Sequence, residues 1–296
     1  MSVGKTAIAG IALCLAQSAT ATDRLQEVCG DCVVEKVAEC GGFLEGATVS
    51  PDGTLWAMDL LGDRVLEIRD GTCINRGSGG TIPSGAKFRP DGTVFIANSQ
   101  GLVSFDPATA EITPIFTEFD GEAVPSTNDL AVDEDGGVYL TEVRGSSLLN
   151  PVGRVYYLPP HGGEIQILAE GLAFPNGIAL TNDGTNVLVS EFAAKRVISI
   201  PTAAPSDRPK ISYVYATTAG GVGADGIHLD TLGRLYTAQI GAGTIQVFSP
   251  AGRPLGDIEL PAEAGNLVTN VAEAAGYLYI TEAGLGEIWR VKLNTP

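Results

Sequence analysis

Glu45, Asn128, Asn176 and Asp225 each stand eight residues ahead of a glycine that closes a tight turn. Those glycines are 53, 136, 184 and 233, and the same count from Gly92 and Gly276 reaches Ser84 and Val268. Four of six equivalent positions thus carry a carboxylate or carboxamide where a packed β core would take Val or Ile. Two carboxylates and two amide carbonyls form a hard, oxygen-only donor set that suits Ca2+, with Mg2+ or Mn2+ as alternatives. Zn2+ is a more distant choice, because no His or Cys joins the set. Turn or bulge chemistry is a second account of Asn128-Asp129, Asn176-Gly177 and Asp225-Gly226. It explains each pair singly but not their shared offset.

A second polar series follows the turns. Asp59, Asn98, Glu142, Gln239 and Glu282 lie six residues after their glycines, and Glu191 lies seven after Gly184. A hairpin returns these positions beside the first series. Glu142 is expected near Asn128 and Glu191 near Asn176, each holding an amide NH2 and turning its oxygen toward an ion, or meeting substrate. Solvated rim positions are the plainer account, favoured for Glu282 because it faces Val268. His228 is three residues from Asp225, so strand alternation turns it away, and it is read with His161 as structural. The run Ala219–Ala224 is glycine-rich but lacks the Lys-Ser/Thr and helix of a phosphate loop. It is read as a channel lid or a plain flexible connection. No Gly-x-Ser-x-Gly nucleophile elbow occurs.

The elements able to hold such a ring are legible in the same turns. Ser50-Pro51-Asp52-Gly53, Arg89-Pro90-Asp91-Gly92 and Asp133-Glu134-Asp135-Gly136 each lead into an aromatic and aliphatic strand. Thr181-Asn182-Asp183-Gly184, Asp230-Thr231-Leu232-Gly233 and Glu273-Ala274-Ala275-Gly276 do the same. Successive glycines are 39, 44, 48, 49 and 43 residues apart, a period that suits a four-stranded propeller blade. A further strand follows each turn, such as Arg64–Ile68 and Arg196–Ile200. The chain is therefore expected to be all-β, a six-bladed β-propeller with four-stranded antiparallel blades. A sandwich also holds hairpins, but it does not require such even spacing. Val33–Val37 has strand character and would complete the blade built from residues 268–291, closing the ring.

Residues 1–21 read as a signal peptide: Lys5, an apolar run Ala7–Leu15, then Ser18-Ala19-Thr20-Ala21 before cleavage. Residues 22–296 form the single propeller domain, and the protein is expected to be secreted, extracellular or periplasmic. Loss of Cys14 with the leader leaves Cys29, Cys32, Cys40 and Cys73. An even count in an exported chain implies two disulfides in one of three pairings, stapling the N-terminal segment. Cys29-Gly30-Asp31-Cys32 resembles a redox or zinc pair only superficially, since no second Cys-x-x-Cys follows. A pair from Cys40 or Cys32 to Cys73 would pin the seam of the ring. With 18 basic and 35 acidic residues, a net charge of −17, the chain repels nucleic acid and anionic membranes and attracts cations. A small-molecule substrate is the expected partner, with no stable membrane association; the oligomeric state is left open.

Leu44-Glu45-Gly46, Thr127-Asn128-Asp129, Phe174-Pro175-Asn176-Gly177-Ile178-Ala179 and Ala224-Asp225-Gly226 resemble the signatures of the SMP-30/gluconolactonase/LRE-like family. The resemblance spans roughly residues 40 to 292. It implies a six-bladed propeller with one divalent ion in the channel and a lactonase or related esterase or phosphotriesterase activity. It implies Glu45, Asn176 and Asp225 as metal ligands, with Asn128 binding the ion directly or through substrate or water. With an ion in the channel, Asp225, a carboxylate at the ion after a flexible glycine-rich lead, is the expected general base, with direct nucleophilic attack as the alternative. A non-catalytic binding propeller with a structural ion is the third reading. Sugar-lactone members tend to carry Arg before the Asn-Asp pair, where this chain has Ser126-Thr127. A less hydroxylated, more apolar substrate is therefore expected.

Overall fold

In a computed structural model, which describes residues 21–202 and 210–294, six four-stranded antiparallel sheets surround a channel. Blade 1 comprises Leu44–Val49, Leu55–Asp59, Arg64–Arg69 and Thr72–Gly77, from the innermost strand outward. Blade 2 comprises Ala86–Phe88, Val94–Asn98, Gly101–Phe105 and Ile112–Phe116, and blade 3 Thr127–Val132, Val138–Glu142, Gly153–Leu158 and Gln166–Leu172. Blade 4 holds Pro175–Leu180, Asn186–Glu191, Arg196–Pro201 and Tyr213–Thr217, and blade 5 Gly223–Leu229, Leu235–Ile240, Thr244–Phe248 and Pro254–Glu259. Blade 6 takes Val268–Ala274, Tyr277–Glu282 and Glu287–Lys292 from the C-terminal end. Its outermost strand is Val34–Glu39, paired antiparallel with Glu287–Lys292, so the two ends of the chain close the ring.

The turns form for the reason their sequence gives. The six anchor glycines all adopt positive φ, between +67° and +89°, a region costly for any side chain. Asp52, Asp91 and Asp183 fasten their turns by accepting hydrogen bonds from the backbone N–H of Thr54, Thr93 and Thr185 at 3.0–3.1 Å. Burial then divides into six apolar clusters, one per junction between blades. Trp56, Met58 and Val65 of blade 1 pack on Ala86, Val94 and Ile96 of blade 2, and Leu44 and Leu66 of blade 1 meet Ile288 of blade 6.

The junction of blades 5 and 6 is thickened by an element not expected from the sequence, a helix over Ala21–Cys29. Its Val28 and Cys29 are buried with Ile258, Val268 and Trp289. Asn294 clamps it from the other terminus, donating from N to Val28 O at 2.7 Å and from Nδ2 to Gln26 O at 2.9 Å. The leader expected over residues 1–21 lies outside the described residues, apart from Ala21. Among the described residues no helix is long and apolar enough to cross a membrane.

Two disulfides staple this region. Cys29–Cys32 closes the end of the helix, and Cys40–Cys73 ties the chain just after the closing strand to the outer strand of blade 1. The second encloses a segment of sequence separation 33, against 3 for the first. Chain-entropy arguments give about 3–4 kcal/mol for the long loop and about 2 kcal/mol for the short one. Cys40→Ser/Cys73→Ser is therefore expected to lower the unfolding midpoint more than Cys29→Ser/Cys32→Ser. Calorimetry on both pairs checks the order.

Candidate functional site

The four sequence-derived oxygen donors sit at the starts of the innermost strands of blades 1, 3, 4 and 5, around one mouth of the channel. Local backbone irregularity accompanies each of them. The ladder between the first two strands shifts register between Glu45 and Thr48, Thr127 and Leu130, Pro175 and Ile178, and Ala224 and Ile227. A β-bulge bends its strand and re-aims a side chain, and the same irregularity recurs at each of the four positions.

Close approach of neighbouring inner strands fixes the ring. Asn176 O accepts a hydrogen bond from Thr141 Oγ1, and Asp225 O one from Ser190 Oγ, both at 2.7 Å. Asn128 O accepts from Ser84 Oγ at 2.7 Å and from Gly85 N at 2.6 Å. Each bond crosses from one blade to the next, so the backbone at Asn128, Asn176 and Asp225 is stitched to the preceding blade. Glycine is required where the strands touch. A Cβ at Gly46 would lie 1.9 Å from Ser84 O, and one at Gly177 would lie 2.7 Å from Asp225 O.

Glu45, Asn176 and Asp225 are buried and Asn128 is half-buried. Burial pushes the Glu45 carboxyl well above the usual carboxylate range, and the nearby Asp225 and Asp129 add to it. Burial likewise raises Asp225, to about 8, against a hydrogen bond from the Asn176 side chain, with Asp129 again raising it. Among the described residues Asp225 Oδ1, which is buried, has no hydrogen-bond partner. The site therefore concentrates carboxyl groups, and among the described residues Glu45 and Asp225 have no ion-pair partner there among Lys, Arg or His.

Asp129 is a member that sequence reasoning placed in a signature but gave no role. It is buried, accepts from Leu130 N at 2.8 Å and from Ile178 N of blade 4 at 3.3 Å. Burial raises its pKa, and the Lys87 ammonium on the inner strand of blade 2 works against that rise. A signal was available. The residue seven before each turn glycine is Gly at 46, 85, 177 and 226, and only at 129 does an acid replace it among the first five blades.

The second polar series does other work, and the expectation for Glu142 and Glu191 needs correction. Glu142 accepts from Tyr156 OH at 2.9 Å and from Arg144 Nη1 at 3.1 Å. Glu191 accepts from Ala173 N at 2.9 Å and is paired with Arg196. Their carboxylates are engaged there, and among the described residues neither is hydrogen-bonded to the amide of Asn128 or Asn176. The same use recurs around the ring. Asp59 takes Phe43 N, Gly62 N and Arg64 Nε at 3.0, 3.0 and 2.7 Å. Glu282 takes Leu267 N, Gly284 N and Leu285 N at 2.8–3.0 Å. These side chains cap the loops at the mouth, satisfying backbone N–H groups that would otherwise be buried unpaired. Gln239 is the exception, buried with neither amide atom partnered.

Of the histidines, His228 lies with Nε2 3.3 Å from Glu273 Oε2 of blade 6, and His161 falls in the short 3-10 turn Pro160–Gly162. The glycine-rich run is fastened at Val222, whose N donates to Ile240 O at 2.7 Å.

Fold and site together define a six-bladed propeller whose channel mouth is lined by buried carboxylates and amides. The SMP-30/gluconolactonase/LRE-like region matches residues 43–284, and the chain belongs to that family, one of propeller lactonases and related hydrolases. Among proteins of similar sequence is the lactonase drp35 of Staphylococcus epidermidis, 28% identical over 239 residues, covering 76% of this chain and 72% of that one. Among solved structures, a gluconolactonase from Xanthomonas campestris superposes with a TM-score of 0.79 at 23% identity, covering 91% of this chain and 92% of the other. A calcium-binding regucalcin from Agrobacterium tumefaciens gives a TM-score of 0.74 at 20% identity, covering 90% and 96%. At those identities the structural likeness speaks to the fold.

Proposed function

We propose that this protein is a divalent-cation-dependent hydrolase that opens a small lactone or related ester, with Ca2+ as the cation. The observation that carries the reading is the placement, around one channel mouth, of two amides and two buried carboxyl groups without an ion-pair partner among the described residues. Glu45, Asn128, Asn176 and Asp225 would hold the cation. Among the described residues no group of three or more His, Cys, Asp or Glu is placed as a metal site, and a set in which two donors are amides falls outside that description. The donor chemistry fits a hard cation: every donor is oxygen, and Asp225 Oδ1 is a buried acceptor without a hydrogen-bond partner among the described residues. When bound, such a cation polarises an acyl carbonyl and stabilises the oxyanion formed on it.

The chain's own residues supply the rest. Asp225 takes a proton from the attacking water, whose oxygen forms the new bond to the acyl carbon. The ring C–O bond then breaks, and its oxygen recovers a proton from Asp225, leaving a hydroxy acid. Asn176 orients the Asp225 carboxylate through its side-chain hydrogen bond. Glu45 balances charge.

Export belongs to the same proposal. Two disulfides support an oxidising destination, as does the apolar leader sequence. The test of function is turnover of lactone, aryl ester and phosphotriester panels with Ca2+ and with EDTA. Cation-dependent lactone opening supports the proposal. Preference for phosphotriesters or aryl esters would reassign the substrate, and no turnover of any class with Ca2+ present would leave a binding propeller.

A further inference from the structure

Blade 5 differs from the other blades on the face it turns toward blade 4. Two residues before each member of the second polar series stand Ala57, Ile96, Leu140, Val189 and Ile280, but in blade 5 the residue is Thr237. The Cα partners of those five on the third strands are Leu66, Val103, Tyr156, Ile198 and Trp289, whereas Thr237 is paired with Gln246. Strand alternation fixes the side. Leu235 and Phe248 pack at the junction of blades 4 and 5, while Tyr236, Ala238, Ile245, Val247 and Ile258 pack at that of blades 5 and 6. Thr237, Gln239, Gln246 and Asp257 therefore all face blade 4.

These residues form one line across the blade. On the inner strand Gln239 pairs with Ala224 and Thr237 with Ile227, and Asp225 sits in the bulge between those two pairs. Thr237 pairs with Gln246, and Gln246 with the exposed Asp257 of the outermost strand. Directly paired residues hold their Cβ atoms about 5 Å apart. The Gln246 side chain is hydrogen-bonded to the Asp257 carboxylate, and its Oε1 accepts from Ala219 N at 2.9 Å. The Asp225 carboxylate turns to the same junction, bonded to the Asn176 side chain of blade 4. Blade 4 faces the line with Ser190, Val197, Ala216 and Thr218, none larger than valine.

Partners within the protein are missing along this line. Of seven buried side-chain N and O atoms without a hydrogen-bond partner among the described residues, five are Thr218 Oγ1, Thr237 Oγ1, both amide atoms of Gln239, and Asp225 Oδ1. Thr237 and Gln239 are 0% exposed and Thr218 is 5% exposed. An unpaired buried hydroxyl or amide is costly, and ordered water is the usual partner of neutral donors and acceptors in such a place.

We propose that the junction of blades 4 and 5 is a hydrated track, running from Asp257 at the outer edge to the bulge that holds Asp225, and that it delivers the water Asp225 activates. This rests on the hydrolytic reading above and adds the route of its second reactant. A substrate seated at the mouth shields its acyl carbon from bulk water on that side. Water entering between the blades reaches the carboxylate without displacing the substrate. Thr237, Gln239 and Gln246 are positioning residues, holding water and acting through Asp225.

The experiment uses Thr237→Val and Gln246→Leu, singly and together; blades 4 and 1 already carry Val189 and Leu66 at those positions. Oxygen-17 magnetic relaxation dispersion counts long-lived internal waters in the cation-free wild type and double variant. The variant is expected to hold fewer, and an equal count overturns the track. Thr237→Val supplies a sign. A hydroxyl bonded to water loses that bond, and the unfolding midpoint is expected to fall by roughly 2–4 °C. A dry hydroxyl would be relieved by the isosteric methyl, so a rise overturns the track. In lactone hydrolysis with Ca2+ the double variant is expected to lose roughly tenfold in kcat with KM unchanged, because water is misplaced and substrate contacts are not. An unchanged kcat, or a loss confined to KM, overturns the delivery. If the wild type opens no lactone, the hydrolytic reading falls and the delivery with it, while the hydrated track stands or falls on the water count and the midpoint.

Discussion

Asp225→Asn is expected to lower turnover by roughly 10²-fold or more while the protein keeps its fold. The amide preserves an oxygen for the cation and removes the proton acceptor. It also removes one of two carboxylates that repel each other across the site, so the cation-free variant is expected to unfold at a higher temperature than the wild type. Glu45→Gln is the informative companion. It removes a charge without removing the proposed base, so its loss should be regained at saturating Ca2+, whereas that of Asp225→Asn should not. Full turnover in Asp225→Asn with the cation bound would reduce Asp225 to a ligand. Label found in the Asp225 carboxylate after a single turnover in 18O-labelled water would show nucleophilic attack, through a mixed anhydride that water opens at the Asp225 carbon.

Fold and site were legible in the sequence to different depths, for physical reasons. Turn glycines and alternating strands are local signals, and they repeat, so blade number, blade order and the closing strand Val34–Glu39 follow from periodicity. The equivalent placement of Glu45, Asn128, Asn176 and Asp225 at the starts of inner strands was legible because equal offsets in a repeat become equivalent positions. The roles of Glu142 and Glu191 were not, because their partners depend on which loop N–H groups fold over them. Ala173 N meets Glu191 only once blade 4 has closed. The helix Ala21–Cys29 is short and lies outside the turn repeat beside the stretch read as a leader, with Leu25 and Val28 its main apolar contacts to the blade 5–6 junction. Asp129 was legible in principle, as an acid in a run of glycines at the tightest approach of inner strands. Recognising it required asking why small residues were needed there.

Stability of the cation-free protein is expected to fall as pH rises from about 6 to about 8.5, and added Ca2+ is expected to reverse the trend. The Asp225 carboxyl is pushed up to about 8 by burial, and Glu45 is raised by burial and by Asp225 and Asp129. In the unfolded chain such groups titrate near 4. Between those values the native state holds protons that the unfolded state has released, so the stabilisation is complete below about 4 and is lost as pH climbs through the native value. Ordinary surface carboxylates have finished titrating by pH 6, so the window reports the buried carboxyls that burial raises, Asp129 and Glu142 among them. A cation that binds the carboxylates displaces those protons and adds stability only to the folded state. At a free concentration a thousand times its dissociation constant this is about 4 kcal/mol, or about 10 °C in the midpoint of a domain this size. Proton competition weakens binding at low pH, so the gain should be larger at pH 8 than at pH 6. Scanning calorimetry with EDTA and with Ca2+ at both values reads all four midpoints. An equal Ca2+ gain at the two values would show that the cation does not bind the buried carboxylates. A cation-free midpoint that is flat across the window would show that they are charged without it, and the counter-charge would then have to come from the chain, with Lys87 the first residue to substitute.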